Sequence, residues 1–408
     1  MHDFTVLLVG TYTPRHDGLA TFASDLEHGL TAHDHVRVRI VAIDPEGETF
    51  QYPRSVVGRI EQNDESSYMQ AAELVQRLKP DVVSLQHEFG LWGVWRDSLE
   101  SDYASPFLEA IATGPRPCPV VSTLHTVRPS PHEDEQAVLR RIIEGSAASV
   151  VMARTGAMIL VDDYGVSPDT LIRIPHGVPV VDRRPRRYFK RRLNLEGRTI
   201  ISTLGMLDPR KGLEYAVAAM EAVVKEHPEA LYLIVGETHP EYRKHNGEQY
   251  RNELRALVRE LKLTQNVRFV NQYLTDRELI DYLQASDIYV TPYLDRNQIT
   301  SGTLAFAVGS GKAIISTPYS HATEALAEGR GLLAEFRSAE SIAHCLEHML
   351  DDPAYRHDME RRTLEYGRQD TWPQVAGRYL DVFRRVAAGE SLSDLLAIEP
   401  EPLSPETA

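Results

Sequence analysis

The sequence predicts an α/β protein of two domains, and three observations carry that prediction. Strand and helix signals alternate along all 408 residues, and a hydrophobic content of 42% is enough for more than one core. Apolar, β-rich runs end repeatedly in glycine-bearing turns that lead into helical spacing. A segment crowded with Arg183, Arg184, Arg186, Arg187, Lys190, Arg191, Arg192 and Arg198, and holding Pro179 and Pro185, separates the two alternating blocks. The predicted division is a first domain over residues 1–180, a basic linker over 181–198 and a second domain over 199–370. A helix over 371–388 follows, and the acidic, proline-bearing, aromatic-poor tail over 389–408 is expected to be disordered.

In the first block, Val6 to Gly10 reads as a buried strand ending in the turn Thr11 to Pro14, and Gly18 precedes an amphipathic helix, Leu19 to Leu30. Asp81 to Glu88 is a second strand, delivering His87 and Glu88 to its carboxyl end. Val120 to Val127 is a third, with His125 near the end, where ligand groups gather in open α/β sheets. Ile174-Pro-His-Gly-Val178 leads out of the block and contains His176.

In the second block, Thr199 to Leu204 is an apolar strand, Gly205 ends it, and Leu213 to Val224 repeats apolar residues at helical spacing. Lys211 and the free N–H groups of the helix start therefore sit where charge and dipole together can hold a phosphate. The plainer reading is a βα turn with a solvated lysine. Ile288 to Pro292 is another buried strand. After it, Gln298 leads to the small residues Ser301, Gly302 and Thr303, which let backbone approach a ligand before a helix begins at Leu304 to Val308. Ala313 to Ser316 returns as a strand, followed by Ser320, His321 and Glu324.

Each candidate has a plain alternative. A histidine at a strand end is either a hydrogen-bonded structural residue or a ligand contact, and both readings stay open for His87 and His176. Glu88 either accepts a proton from an acceptor or caps the rim. Glu324 is read at a helix start, where the dipole alone also favours a carboxylate.

The order and spacing of these residues resemble the retaining glycosyltransferases of family 4, the group 1 type. That resemblance covers most of the chain and implies the GT-B fold, two Rossmann-like domains facing across a cleft. The family's glycine, arginine and Lys-Gly motif falls on Gly205, Met206 and Lys211-Gly212, so the lysine is kept and the arginine lost. Its two glutamates fall on Gln298 and Phe306 when Gly311 to Thr317 is matched without gaps. A one-residue slip gives Ile299 and Ala307, and neither register supplies a carboxylate pair. By resemblance, Gly18, Gly205, Lys211, Gln298, Ser301, Gly302, Thr303 and Glu324 serve the donor and its phosphates. His125 faces the donor sugar, and His87 and Glu88 lie on the acceptor side. The helix over 371–388, with Trp372 and Tyr379, crosses back onto the first domain.

The resemblance implies retaining transfer of a hexose from an activated donor, a nucleotide diphosphate sugar, to a hydroxyl of a sugar or glycan acceptor. No cofactor is implied beyond a nucleotide-sugar or sugar-phosphate substrate. No metal requirement is expected, because Asp162-Asp163 and Asp351-Asp352 read as helix ends or turns, and lysine and helix dipoles handle the leaving charge. The missing arginine and glutamate keep two other readings open. One is a glycoside phosphorylase using phosphate or a hexose 1-phosphate, since Ser301-Gly302-Thr303 also resembles a turn of the α-glucan phosphorylases. The other is a catalytically silent glycan- or nucleotide-binding protein.

Composition excludes several classes. A formal charge of −15, from 59 acidic against 44 basic residues, disfavours nucleic acid as a partner. Cys118 and Cys345 are too few and too far apart for a disulfide framework or zinc site. No apolar run reaches the length of a membrane span and no leader pattern precedes the first strand, so a soluble, cytoplasmic protein is expected. The basic segment fits either a solvated linker or a weak peripheral contact with an anionic membrane or glycan. Gly309-Ser-Gly-Lys312 lacks the first glycine and the Ser or Thr of a P-loop, and no Gly-x-Gly-x-x-Gly, His-Glu-x-x-His or Gly-x-Ser-x-Gly motif is present. Oligomeric state is not encoded in the periodicity.

Overall fold

The structure, a computed structural model, describes residues 3–95, 99–182 and 184–398. The chain divides into two compact units: unit 1 comprises Met1–Gly177 and Trp372–Ala408, and unit 2 comprises Val178–Thr371.

Unit 1 contains strands β1 (Phe4–Gly10), β2 (Val36–Asp44), β3 (Val56–Glu61), β4 (Val82–His87), β5 (Gly93–Trp95), β6 (Leu99–Asp102), β7 (Val120–Leu124), β8 (Ala148–Val151) and β9 (Leu171–Arg173). Seven of them form one parallel sheet in the order β3-β2-β1-β4-β7-β8-β9, and β5 pairs with β6 as an antiparallel hairpin. The central strands are buried on both faces, which is why they read as continuous apolar runs and not as an alternation. Several of their polar side chains are paired: Ser122 with Ser149 at 2.8 Å, and Thr123 with the Tyr379 hydroxyl at 3.2 Å.

One face of this sheet is covered by the helices Gly18–Thr31 and Trp372–Ala388. Phe22, Leu26 and Leu30 from the first pack with Trp372, Val375, Tyr379 and Phe383 from the second, each large side chain contributing about 1.5–3 kcal/mol by burial. Gly29 sets how closely the helices approach, since a Cβ there would lie 2.6 Å from the Ala376 Cβ. The described part of the tail expected to be disordered, 389–398, is instead docked. Leu396 forms an antiparallel bridge to Ile172 on edge strand β9, Ala397 N–H donates to the Leu171 carbonyl at 2.8 Å, and Leu392, Leu395 and Leu396 pack on the core. Three leucines and an open strand edge outweigh the acidic composition. Residues 399–408 lie outside the described residues.

Unit 2 contains β10 (Thr199–Leu204), β11 (Ala230–Val235), β12 (Val267–Val270), β13 (Ile288–Thr291), β14 (Ala313–Ser316) and β15 (Leu332–Leu333), parallel in the order β12-β11-β10-β13-β14-β15. Its core has two sides. Leu213, Val217 and Met220 of the helix Leu213–Glu226 fill one, and Phe189, Leu195, Leu304 and Phe306 fill the other.

The segment 181–198 read as a linker is part of this unit. Arg186–Arg192 is a helix whose Phe189 is fully buried. Three of its basic groups are neutralised by acids distant in sequence: Arg186 reaches Asp287 at 3.0 Å and also pairs with Glu360, Lys190 reaches Asp287 at 2.6 Å, and Arg192 reaches Asp281 at 3.1 Å. Arg191 pairs with Glu196, Arg184 with Asp182, and Arg198 donates to the carbonyls of Glu229, Ala230 and Gln265. Arg183 lies outside the described residues. Lys312, of the P-loop-like run, is buried just before β14 with its ammonium 3.4 Å from the Ser286 carbonyl. Burial, then the nearby Arg186, lowers its pKa to about 7. At the ends of unit 2, Val178 forms a parallel bridge to Thr371, and its N–H donates to the Asp370 carbonyl at 2.8 Å. Among the described residues, no helix is long and apolar enough to cross a membrane.

Candidate active site

In unit 2 the strand order reverses between β10 and β13, so the loops leaving their carboxyl ends diverge and leave a crevice edge. Gly205 ends β10 in a left-handed conformation (φ +119°) and donates its N–H to the Val235 carbonyl at 3.0 Å. A Cβ on Gly205 would stand 3.3 Å from the Thr303 methyl group, so the turn after β10 rests on the turn after β13. Asp208 then caps the short turn Pro209–Lys211, accepting the Arg210 N–H at 2.9 Å and pairing with the Arg210 guanidinium. Gly212 follows with φ +60°, where a Cβ would lie 2.3 Å from the Pro292 carbonyl oxygen, and Leu294 N–H donates to the Arg210 carbonyl at 2.9 Å. The Lys-Gly turn is thereby pressed onto the chain leaving β13, and the Lys211 ammonium sits 3.7 Å from the centre of the Tyr293 ring.

The second turn is built as tightly. Ser301 caps the helix Gly302–Gly309 by accepting the Leu304 N–H at 3.3 Å, and the Thr303 hydroxyl meets that of Tyr293 at 3.0 Å. The Ser301 N–H, expected to face phosphate, is directed instead to the His321 Nδ1 at 2.8 Å. Gln298 donates its side-chain amide to the Thr300 carbonyl at 2.9 Å, and Phe306 is buried in the core, so neither position offers a carboxylate. Glu324 lies not at a helix start but in the last turn of the six-residue helix Ser320–Ala325, and its carbonyl accepts from Arg330 at 3.3 Å. The helix begins earlier than the sequence suggested because Ser320 and His321 are themselves its first turn, so the dipole argument for this carboxylate is withdrawn.

The carboxyl edge of unit 1 holds the remaining candidates. Asp17 caps the helix Gly18–Thr31, accepting from Ala20 N–H at 2.7 Å and from the Thr11 hydroxyl at 2.9 Å. Among the described residues, nothing beyond its chain neighbours and its own helix backbone lies within 4 Å of a Cβ built on Gly18, so packing does not require glycine there. His125 follows β7; its N–H donates to the His87 carbonyl at 3.1 Å and its Nε2 meets the Gln86 Oε1 at 2.9 Å. With that oxygen as acceptor, Nε2 carries the proton and Nδ1 is left as an acceptor. Burial, then the neighbouring His176 and His87, lowers the His125 pKa to about 3, so the ring is neutral. His176 lies nearby, its Nδ1 at 2.7 Å from the Gly177 carbonyl and its ring edge-on to Phe22; burial lowers its pKa to about 4.

His87 and Glu88, expected together at the acceptor side, part company. The pleat of β4 turns His87 inward beside Phe89, fully buried, with no hydrogen-bond partner for either ring nitrogen among the described residues. Its side chain is therefore not at the rim, and burial lowers its pKa to about 3. Glu88 accepts the Phe89 N–H at 3.1 Å and the Thr126 hydroxyl at 2.5 Å, so both its oxygens cap local structure, and burial raises its pKa.

Sequence reasoning missed Gln86, Tyr293 and Arg251, and it named His321 without foreseeing the bond from Ser301. A glutamine inside the apolar run of β4 was a usable signal, since a buried amide needs partners. Arg251 carried none: it is buried, donates to the Gly236 carbonyl at 3.0 Å and pairs with Glu248 at 2.9 Å, bracing the loop after β11 from behind.

Two Rossmann-like α/β units with these topologies define the GT-B fold, and comparison with solved structures shows the same. A glycosyltransferase from Rickettsia africae matches 95% of this chain and 99% of its own with a TM-score of 0.73 at 14% identity. A sucrose-phosphate synthase from Thermosynechococcus elongatus matches 95% of this chain and 100% of its own with a TM-score of 0.74 at 17% identity. In sequence, residues 186–367 match the family model for glycosyl transferases group 1. The chain is also similar to a D-inositol 3-phosphate glycosyltransferase of Corynebacterium aurimucosum, 25% identical over 65% of this chain and 66% of that protein. A phosphatidyl-myo-inositol mannosyltransferase of Mycolicibacterium smegmatis is 26% identical over 69% of each. The chain thus spans about two thirds of the length of these relatives, and the match to the group 1 model falls within unit 2.

Proposed function

We propose that the protein is a retaining glycosyltransferase that moves a hexose from a nucleoside diphosphate donor to a hydroxyl of a sugar or polyol acceptor, without a metal ion. The observation that carries this reading is the Lys211 ammonium, held at the β10/β13 reversal by an interlocked turn and set over Tyr293, whose hydroxyl meets Thr303 in the first turn of the helix Gly302–Gly309. A positive charge and a helix dipole at one edge suit an anomeric phosphate leaving with its negative charge. His125, neutral and with Nδ1 free to accept, suits a hydrogen bond from a sugar hydroxyl and not the delivery of a proton. Departure of the phosphate leaves an oxocarbenium-like sugar, which the acceptor hydroxyl attacks from the same face, so anomeric configuration is retained. The similarity to inositol-directed transferases supports a polyol or sugar acceptor.

A second reading is favoured by Met206, Phe306 and the self-bonded Gln298, which remove the expected grip on a diphosphate and a ribose. A glycoside phosphorylase would need only one phosphate held at Lys211. A thermal-shift panel with UDP, GDP, ADP, inorganic phosphate and hexose 1-phosphates separates the two. A ligand at 100 times its Kd raises stability by about 2.7 kcal/mol. Stabilisation by one nucleoside diphosphate supports the transferase; stabilisation by phosphate or a sugar phosphate alone replaces it with the phosphorylase.

A further inference from the structure

The Lys211 ammonium has a floor that is unusual for a phosphate cradle. It is Tyr293, a residue 1% exposed at the point where small side chains otherwise let backbone reach a ligand. Three contacts fix the ring. Its hydroxyl meets Thr303 at 3.0 Å, its face stacks on Tyr319 with centroids 5.3 Å apart and planes 15° apart, and its carbonyl accepts from the Thr317 hydroxyl. The Lys211 ammonium lies 3.7 Å from the centre of the same ring. The backbone around the pair is locked as well, by the Leu294 to Arg210 hydrogen bond and by Gly212 against Pro292.

Lysine is a point charge on a flexible stem, whereas the arginine absent at Met206 would arrive with a planar, pre-organised fork. A lone lysine therefore needs something else to hold its charge in place before a ligand arrives. An electron-rich ring face does so without neutralising it, as a carboxylate would. We infer that Tyr293 is a positioning residue, a rigid aromatic floor that holds the Lys211 ammonium ready for a diphosphate and takes over the pre-organising role of the missing arginine. The hydroxyl orients the ring through Thr303 and also meets the Lys211 ammonium; burial alone would raise the phenol pKa, and the ammonium charge outweighs it and lowers that pKa. The inference rests on the reading of Lys211 as the phosphate-holding group.

The test measures pyrophosphate binding to the full chain by calorimetry in wild type, Lys211→Met, Tyr293→Phe and Tyr293→Leu. In parallel, NMR of the reductively ¹³C-dimethylated protein follows the Lys211 signal, assigned by its loss in Lys211→Met. The expected result is loss of binding in Lys211→Met, binding within about twofold of wild type in Tyr293→Phe and binding weakened roughly tenfold in Tyr293→Leu. The Lys211 signal should be displaced upfield by the ring in wild type and Tyr293→Phe, and should move when pyrophosphate binds. If Lys211→Met loses binding while Tyr293→Leu matches wild type, the floor is overturned and the reading of Lys211 stands. If wild type does not bind, or Lys211→Met binds as wild type does, that reading falls and takes the floor with it. Should Tyr293→Leu fail to fold, the NMR signal decides: a Lys211 resonance without the upfield displacement in wild type overturns the inference.

Discussion

Gly236 and Gly205 meet backbone to backbone: a Cβ built on Gly236 would lie 2.1 Å from the Gly205 carbonyl oxygen. Gly236 also has φ +140°, a region that L side chains rarely adopt. Gly236→Ala must therefore both strain its own backbone and push the turn after β10 away from Thr303. We expect a loss of about 2–4 kcal/mol in urea unfolding, together with weaker nucleoside diphosphate binding.

Gly18 is the opposite case. It begins a helix, no neighbouring element among the described residues opposes a Cβ there, and alanine is the better helix former. Gly18→Ala should match or slightly exceed the thermal stability of wild type. If a donor approaches this backbone as proposed, the same variant lowers turnover at unchanged stability; unchanged turnover would separate Gly18 from the donor.

Lys211→Met retains the aliphatic stem over Tyr293 and removes only the charge. Turnover should fall roughly 10²- to 10³-fold, the scale for losing one preorganised contact to a developing anion, with the unfolding midpoint nearly unmoved. Steady-state kinetics with the donor identified by thermal shift gives the measurement. A variant as active as wild type would sink the role.

His87 makes unit 1 acid-sensitive. Its pKa is held at about 3 in the folded chain against 6.5 for the ordinary value, so below about pH 6.5 the unfolded chain takes up a proton that the folded chain refuses. Its contribution is fully present above that pH, declines as pH falls toward 3 and is constant below. At pH 5 the loss is about 2 kcal/mol. His87→Phe, which keeps a ring beside Phe89, should flatten the fall in unfolding free energy between pH 7 and 5; an unchanged slope would assign the acid sensitivity to other groups.

Much of the fold was legible because its signals are local. Thr199–Leu204 and Ala313–Ser316 form the strands their apolar runs imply, and the helices Gly18–Thr31 and Leu213–Glu226 follow the spacing of their leucines and alanines. The basic segment was misread because what neutralises it, Asp281, Asp287 and Glu360, lies some 90 to 170 positions away and meets it only in the folded unit. His87 was misplaced by one step of a pleat, which decides whether a strand-end side chain faces the rim or the interior. The Tyr293 floor was invisible for a related reason: one turn comes from after β10 and the other from after β13, and only sheet order makes them neighbours. Ser301 showed the reverse limit, since its position was legible but the imidazole that takes its N–H was not.

The bridge between Val178 and Thr371 gives the chain the architecture of an inserted domain. The polypeptide enters unit 2 and leaves it through paired neighbours, so residues 178–371 form a closed excursion from a host built of the chain on either side of it. Such an excursion can be exchanged as a cassette between hosts with its two seams already adjacent, and host and guest can diverge separately. On that logic, the residues around Lys211 and those around His125 can be altered separately, each change touching one part of the recognition of a shared donor.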